Sequence, residues 1–478
     1  MRLGLRVAES GRMDIAMKSD FSKGSVAGNI MSLAVPMTLA QLVNVLYNVV
    51  DRIYIGRMPE NATLAMTGLG VCFPIITMII AFANLFGMGG APLCTIARGK
   101  GDQKEAESIM GNSFILLLIS GAVLTMLGLL LKEPLLYAFG ASAETFPFAD
   151  QYITIYLCGS IFVMISLGMN SFINSQGFGR VGMTTVLCGA VANIILDPIF
   201  IFTFQMGIQG AALATVLSQF LSAMWVLWFL TGKKAILRLK KECFRLKWKR
   251  ICSITALGTT GFTMSITNCA VQIICNSTLQ IYGGDLYVGI MTVINSIREV
   301  ISMPVSGITN SAQPVLGFNY GAGKYKRVRS GIKFMSIVCI AYTTVAWAVL
   351  YVFPEFFIHI FNQDPELTQA AVPALHVYYF GFFTMSLQFA GQSVYVGLGK
   401  SKQAVFFSLL RKAVIVIPLT LLLPNLFSLG TMGVFLAEPI SNFIGGGACF
   451  ITMLATVWRR LKEDPEPVKQ TAVGDGDA

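Results

Sequence analysis

The stretch Arg98-Gly99-Lys100-Gly101-Asp102-Gln103-Lys104-Glu105-Ala106 returns later as Tyr320-Gly321-Ala322-Gly323-Lys324-Tyr325-Lys326-Arg327-Val328, keeping the Gly-x-Gly and the basic residues after it. Two further segments repeat in step. Gly177-Phe178-Gly179-Arg180 is matched by Gly397-Leu398-Gly399-Lys400, and Gly207, Gly210, Ala214, Ser218 and Phe220 by Gly430, Gly433, Ala437, Ser441 and Phe443. Residue 98 maps to 320, 177 to 397 and 207 to 430, so subtraction gives offsets of 222, 220 and 223. Nearly constant spacing over three separated segments means that an ancestral half was duplicated.

Each half is too apolar for water. Hydrophobic residues make up 55% of the 478, charged residues only 12%, and mean hydropathy is +0.68. A globular domain carries roughly 25% charged residues. Apolar stretches recur near or above the roughly 20 residues that cross ~30 Å of hydrocarbon, where helices satisfy their own backbone. Twelve are expected, at 29–55, 64–97, 106–131, 146–175, 182–204 and 208–232, then 251–282, 286–316, 332–353, 368–396, 403–423 and 430–458. The fold class is therefore an all-α integral membrane protein: twelve transmembrane helices in two pseudo-symmetric six-helix lobes. Six spans per half give both halves the same orientation, the parallel-repeat arrangement of secondary transporters. The expected organisation is an N-terminal arm (1–28), an N-lobe (29–232), a basic linker (233–250), a C-lobe (251–458) and a disordered tail (459–478).

The formal net charge is +11, and topology accounts for it. With the N-terminus in the cytoplasm, all but four of the 35 Lys and Arg fall on that side; Arg52, Arg57 and Lys132 lie outside and Arg298 within a span. This is the positive-inside pattern, with anionic lipid as the natural neighbour and no nucleic acid implied. It predicts a multi-pass protein of the cell (cytoplasmic) membrane with both termini in the cytoplasm, and a monomer. The first 28 residues carry basic residues but no apolar core, unlike a cleaved signal peptide. The ten Cys form no CxxC pairs and read as packing residues.

No Gly-x-x-x-x-Gly-Lys-Ser/Thr loop is present, and neither His359 nor His376 sits in a metalloprotease motif. No enzyme is expected, no catalytic residue is assigned, and no cofactor is required. The informative groups are ionisable residues within apolar spans, each costing roughly 2.5–3.5 kcal/mol at a helix centre and tolerated for a purpose. They are Asp51, Asp197, Glu299 beside Arg298, and Glu438. Asp51 continues a stripe of Gln41, Asn44 and Asn48, spaced 3, 4 and 3, with Tyr47 one turn before the acid; a stripe of that kind faces water or a cavity. Asn193 and Asp197 stack at i and i+4, and Pro198 frees the carbonyl of Ile194. Competing structural readings make Asp51 an interfacial residue neutralised by Arg52, and Asp197 the cap of a kinked helix. Arg298 points about 100° from Glu299, so each would pair with another span. Glu438, followed by Pro439, marks a kink or a second site, and Gln41, Asn44, Asn48, Arg298 and Glu299 are the other candidates for cavity or second-site roles.

The run Tyr47-Asn48-Val49-Val50-Asp51-Arg52-Ile53-Tyr54-Ile55-Gly56 resembles the first-helix signature of the multidrug and toxic compound extrusion (MATE) family. So do Asn193-Ile194-Ile195-Leu196-Asp197-Pro198-Ile199-Phe200-Ile201-Phe202, Gly207-Ile208-Gln209-Gly210-Ala211-Ala212-Leu213-Ala214-Thr215 and Gln313-Pro314-Val315-Leu316-Gly317-Phe318-Asn319-Tyr320-Gly321-Ala322-Gly323. The resemblance spans residues 29–458. It implies two six-helix lobes around a central cavity, exporting organic cations in exchange for H+ or Na+. It also implies an N-lobe cation site on Tyr47, Asp51, Asn193, Asp197 and Thr215, with no metal beyond Na+ at those residues. Residues 251–282 and 368–396 contain no Asp or Glu, so the C-lobe cation site of other members is not expected. The alternative function is a flippase for lipid or lipid-linked glycan, which requires a positive cavity. Arg298 is the one base read as lying deep in a span.

Overall fold

The computed structural model describes residues 20–58, 62–361 and 365–461. Most of the expected arm (1–19) and of the expected tail (462–478) lies outside them. Among the described residues the secondary structure is helical, and the helices group as six and six. In the first half, α1 is Val26–Gly56, α2 Ala62–Gly99, α3 Gln103–Ala138, α4 the pair Phe146–Cys158 and Ser160–Ser175, α5 Gly179–Pro198 and α6 Gly207–Thr231. In the second half, one continuous run Trp248–Gly321 is broken at Gly284 (φ 65°, ψ −163°) into α7 (248–283) and α8 (285–321). Then come α9 (Tyr325–Val352), α10 (Pro365–Tyr378 with Met385–Gly397), α11 (401–422) and α12 (431–458).

Among the described residues, nine helices are long and apolar enough to cross a bilayer, and two broken pairs bring the total to eleven. The breaks are bends of 55° within α4 and 47° within α10, both at spans expected to be single and unbroken. The twelfth, α7, is the polar one. Its hydroxyls turn back on their own helix, Thr259 to the Thr255 carbonyl, Thr267 to Thr263 and Thr278 to Ile274, which spares them the cost of unpaired burial.

The duplication is visible in backbone conformation. Gly101 and Gly323, matched by the repeat, both adopt positive φ (84° and 70°), as do Gly207 and Gly430 (55° and 53°), a region that only Gly enters without a Cβ penalty. Three apolar clusters form the core. One lies mainly in the N-lobe, from Ile55 through Met164 and Phe172 to Ile254 at the start of α7; a second joins the first turns of α1 (Val26, Ile30, Leu33) to the C-lobe, and the third lies within the C-lobe.

The end of the arm and the linker are tied down. Within the arm, Phe21 is fully buried in a C-lobe cluster, and the Arg327 guanidinium donates to the carbonyls of Phe21, Lys23 and Gly24. The linker crosses the end of the N-lobe. Lys240 pairs with Glu107 and Arg250 with Glu105, while the Asn112 amide donates to the carbonyls of Cys243 and Arg245.

The lobes meet along a seam in the half of the bundle that carries this linker. Gly89 lies against Ile254 and Gly258, Gly258 against the Leu85 carbonyl, Gly99 against the Phe318 carbonyl, Gly321 against Ile96 and Gly307 against Thr38. Backbone meets backbone there, as small residues allow between helices in a membrane. An edge-to-face pair, Phe82 and Phe262 (centroids 5.2 Å apart), lies near mid-helix. A methyl group at Gly258 collides with the Leu85 carbonyl, whereas one at Gly261 meets nothing within 4 Å. Gly258→Ala is therefore expected to cost about 1–3 kcal/mol and Gly261→Ala to be neutral or stabilising, read as melting temperatures of the purified protein in detergent.

Candidate functional site

In the N-lobe, α1, α5 and α6 bring together the five residues expected to share a site. Asp51 is 9% exposed, Asn193 2% and Asp197 0%. The Asn193 amide donates to Asp197 Oδ1 (3.2 Å) and reaches Thr215 Oγ1 (3.5 Å). The carboxyls of Asp51 and Asp197 face each other within hydrogen-bond reach, with Tyr47 alongside both. Two bare carboxylates at that spacing repel, so such a pair holds a proton or a cation between its oxygens.

Three acceptor oxygens here, Asp51 Oδ1, Asp197 Oδ2 and Asn193 Oδ1, are buried without a hydrogen-bond partner in the protein. Hard oxygens gathered with spare lone pairs suit a small hard cation. The local backbone contributes, since Pro198 ends the α-helical part of α5 and the chain continues as a π-turn, Ile199–Thr203. The Arg52 guanidinium lies 5.0 Å above the Phe73 ring, and its charge still acts on Asp51.

A cavity of about 220 Å³ opens beside these acids, and Gln41, Asn44, Tyr47, Asn170, Asn193 and Thr215 are among its walls. The polar stripe of α1 thus splits. Gln41, Asn44 and Tyr47 reach this cavity, Asp51 lies one turn further along, and the exposed Asn48 donates back to the Asn44 carbonyl (2.7 Å). Sequence reasoning missed Tyr152 of α4. It is buried, stacks on Tyr156 (6.1 Å between centroids, 16° between planes) and lies within side-chain reach of Thr215. Its aromatic character was legible; its direction was not, because the bend within α4 sets it.

The C-lobe corrects the count of buried bases. Arg411 and Lys412 are 6% and 7% exposed and lie ten residues or more along α11, about 15 Å at 1.5 Å per residue. Assigning them to the basic end was wrong, because the apolar span enclosing them continues on both sides and α12 supplies their counter-charge. Glu438 accepts hydrogen bonds from Arg411 Nη2 (2.5 Å) and from Lys412 Nζ (3.3 Å to each oxygen), and Arg298 approaches to 3.6 Å. Arg298 does pair across spans, as its direction from Glu299 implied.

Glu299 stands apart from this cluster. It is exposed and shares a face of α8 with Ser306, Asn310 and Gln313, which line a second cavity of about 250 Å³ between the lobes. Among the described residues no group of three or more His, Cys, Asp and Glu could hold a metal ion.

A family model described as MatE matches residues 36–199 and 261–422. The chain is similar to the "Multidrug export protein MepA" of Staphylococcus saprophyticus, 24% identical over 411 residues that cover 86% of this chain and 90% of that protein. Among solved structures, it resembles the "outward-facing conformation of a multidrug resistance MATE family transporter of the MOP superfamily" (TM-score 0.85, 22% identity, 92% of this chain and 97% of that one). A second is the Pyrococcus furiosus transporter of the same superfamily described under "reverse polarity of binding pocket suggests different function" (TM-score 0.86, 22% identity, 93% and 98%). At these identities the structural likeness speaks for the fold.

Glu438 is in contact with three bases. Glu438→Gln leaves buried cations without a counter-charge and is expected to cost about 3–5 kcal/mol, measured as a fall in melting temperature of the purified protein.

Proposed function

Because this chain belongs to the MatE family, we propose that it is a secondary antiporter that exports organic cations in exchange for H+ or Na+ by alternating access. The observation that carries the reading is the contact between the Asp51 and Asp197 carboxyls, with spare oxygens around them. A proton or Na+ bound there cancels negative charge on the wall of the N-lobe cavity. A cationic substrate then loses the field that held it. Tyr47, Asn193 and Thr215 both wall the cavity and stand beside the acids, so they connect the occupancy of one to the occupancy of the other.

The driving force suffices. One charge crossing 100 mV is worth ~2.3 kcal/mol, and each pH unit adds ~1.4 kcal/mol. The linker side is taken as cytoplasmic from its basic residues, in the cell membrane. The seam then closes the cytoplasmic half, and this conformation presents its cavities outward. The names of the relatives weigh for drug export over lipid flipping.

Asp51→Asn or Asp197→Asn is expected to lower ethidium efflux from cells at least tenfold at unchanged expression, and efflux at the parent rate defeats the proposal. In liposomes holding the purified protein, with proton and sodium gradients imposed separately, transport is expected to follow one gradient and to be lost when that gradient is collapsed.

A further inference from the structure

The four charges at the heart of the C-lobe do not balance. Arg298, Arg411 and Lys412 converge on Glu438 alone, so one carboxylate faces three cations, a formal surplus of two. A buried ion cluster that serves only structure is expected to be compensated, since each uncompensated ion costs several kcal/mol. Donor capacity is also in excess. Arg411 Nε is buried and has no hydrogen-bond partner, so part of the guanidinium fork is unused, and Lys412 makes two long contacts of 3.3 Å to the Glu438 oxygens, one of which Arg411 already approaches more closely.

The surplus lies where a ligand can reach it. Arg411 and Lys412 both line the 250 Å³ cavity between the lobes, along with the amides of Gln388 and Gln392 and the hydroxyl of Ser408. Met264 and Phe389 supply apolar wall. Lys412 also lines a 90 Å³ pocket that contains Arg298 and Glu438, so the two spaces meet at its side chain. The size is near the lower end of the roughly 300–1,000 Å³ typical of small-molecule pockets.

The backbone is adapted there as well. Arg411 and Lys412 sit in a π-helical segment, Leu410–Val416, packed beside a second one, Asn442–Gly446, where Gly445 lets Arg411 approach. Single π-turns inside α-helices are frequent at functional sites. By the repeat that maps Gly207 onto Gly430, Glu438 occupies the place of Thr215.

We propose that the C-lobe holds an anion-binding subsite, centred on Arg411 and Lys412, for the negatively charged group of an organic ligand: a carboxylate, sulfonate or phosphate. A planar guanidinium and an ammonium beside neutral amide and hydroxyl groups suit such an anion. The subsite is independent of the cation site of the N-lobe, so either assignment can fail alone. Its source is either a dissolved solute or the phosphate of a lipid headgroup, and the two share this chemistry.

The test is fluorescence polarisation of fluorescein, an organic dianion, with the purified full chain in nanodiscs of phosphatidylcholine. Saturable binding is expected, with Kd raised at least tenfold by Lys412→Gln. The charge-conserving Lys412→Arg is expected to stay within about threefold of the parent and guards against loss of fold. Lys402→Gln, which removes a charge from the exposed start of α11, is expected to leave Kd unchanged. Equal binding in discs containing phosphatidylglycerol assigns the subsite to a dissolved anion, and loss of binding only in those discs assigns it to the headgroup of a net-anionic lipid. No saturable binding in phosphatidylcholine discs, an unchanged Kd in Lys412→Gln, or displacement by chloride at the concentration of the dye overturns the proposal.

Discussion

An ionised side chain inside an apolar bundle needs a partner that is itself charged, and this requirement organises both lobes. In hydrocarbon a carboxylate or ammonium loses the hydration that stabilises it in water, and only a counter-ion, a proton or a dense set of hydrogen bonds replaces it. The N-lobe places two acids face to face beside an amide, a hydroxyl and a phenol. The C-lobe places three bases around one acid. Neither arrangement is self-sufficient, and each has a cavity at its edge.

The remainder of the molecule is the support for these two clusters. Several hydroxyls of α7, those of Thr259, Thr267 and Thr278, return to the backbone one turn back. The seam between the lobes rests on glycines that bring main chains together over one half of their length. Contacts of that kind are dispersive and close-range, without the buried ion pairs that would lock two bodies. The polar fastenings lie at the ends instead. Arg327 holds the segment before α1 on the C-lobe, and Glu105 and Glu107 hold the linker on the N-lobe. Each lobe is thereby tied to chain that leads into the other, which fits two rigid bodies joined at one end.

Legibility of the sequence followed the range of the interactions. Span positions rest on apolar runs of about twenty residues, and all twelve were found where hydropathy put them. The pairing of Asn193 with Asp197 follows from helical spacing alone, and so does the polar face of α1. Arg411 and Lys412 were misplaced because adjacent charges suggest the basic end of a span; only the presence of Glu438 on α12 explains why they can lie midway along α11. How Phe21 and the linker are held was not legible, since their anchors, Arg327, Asn112 and Gln176, are distant in sequence. The bends within α4 and α10 left no mark in hydropathy.

By itself the sequence determined that this chain is a duplicated twelve-span membrane protein with acids set into its first half, because apolar length, i to i+4 spacing and repeat offset are one-dimensional properties. The tertiary structure decided which charges meet. Asp51 and Asp197 are brought together from α1 and α5, three bases are drawn to Glu438 from α8 and α11, and the lobes close at one end and not the other. Those outcomes depend on how helices rotate and cross, which is set by side-chain packing across the bundle and is invisible to spacing along one strand of the chain.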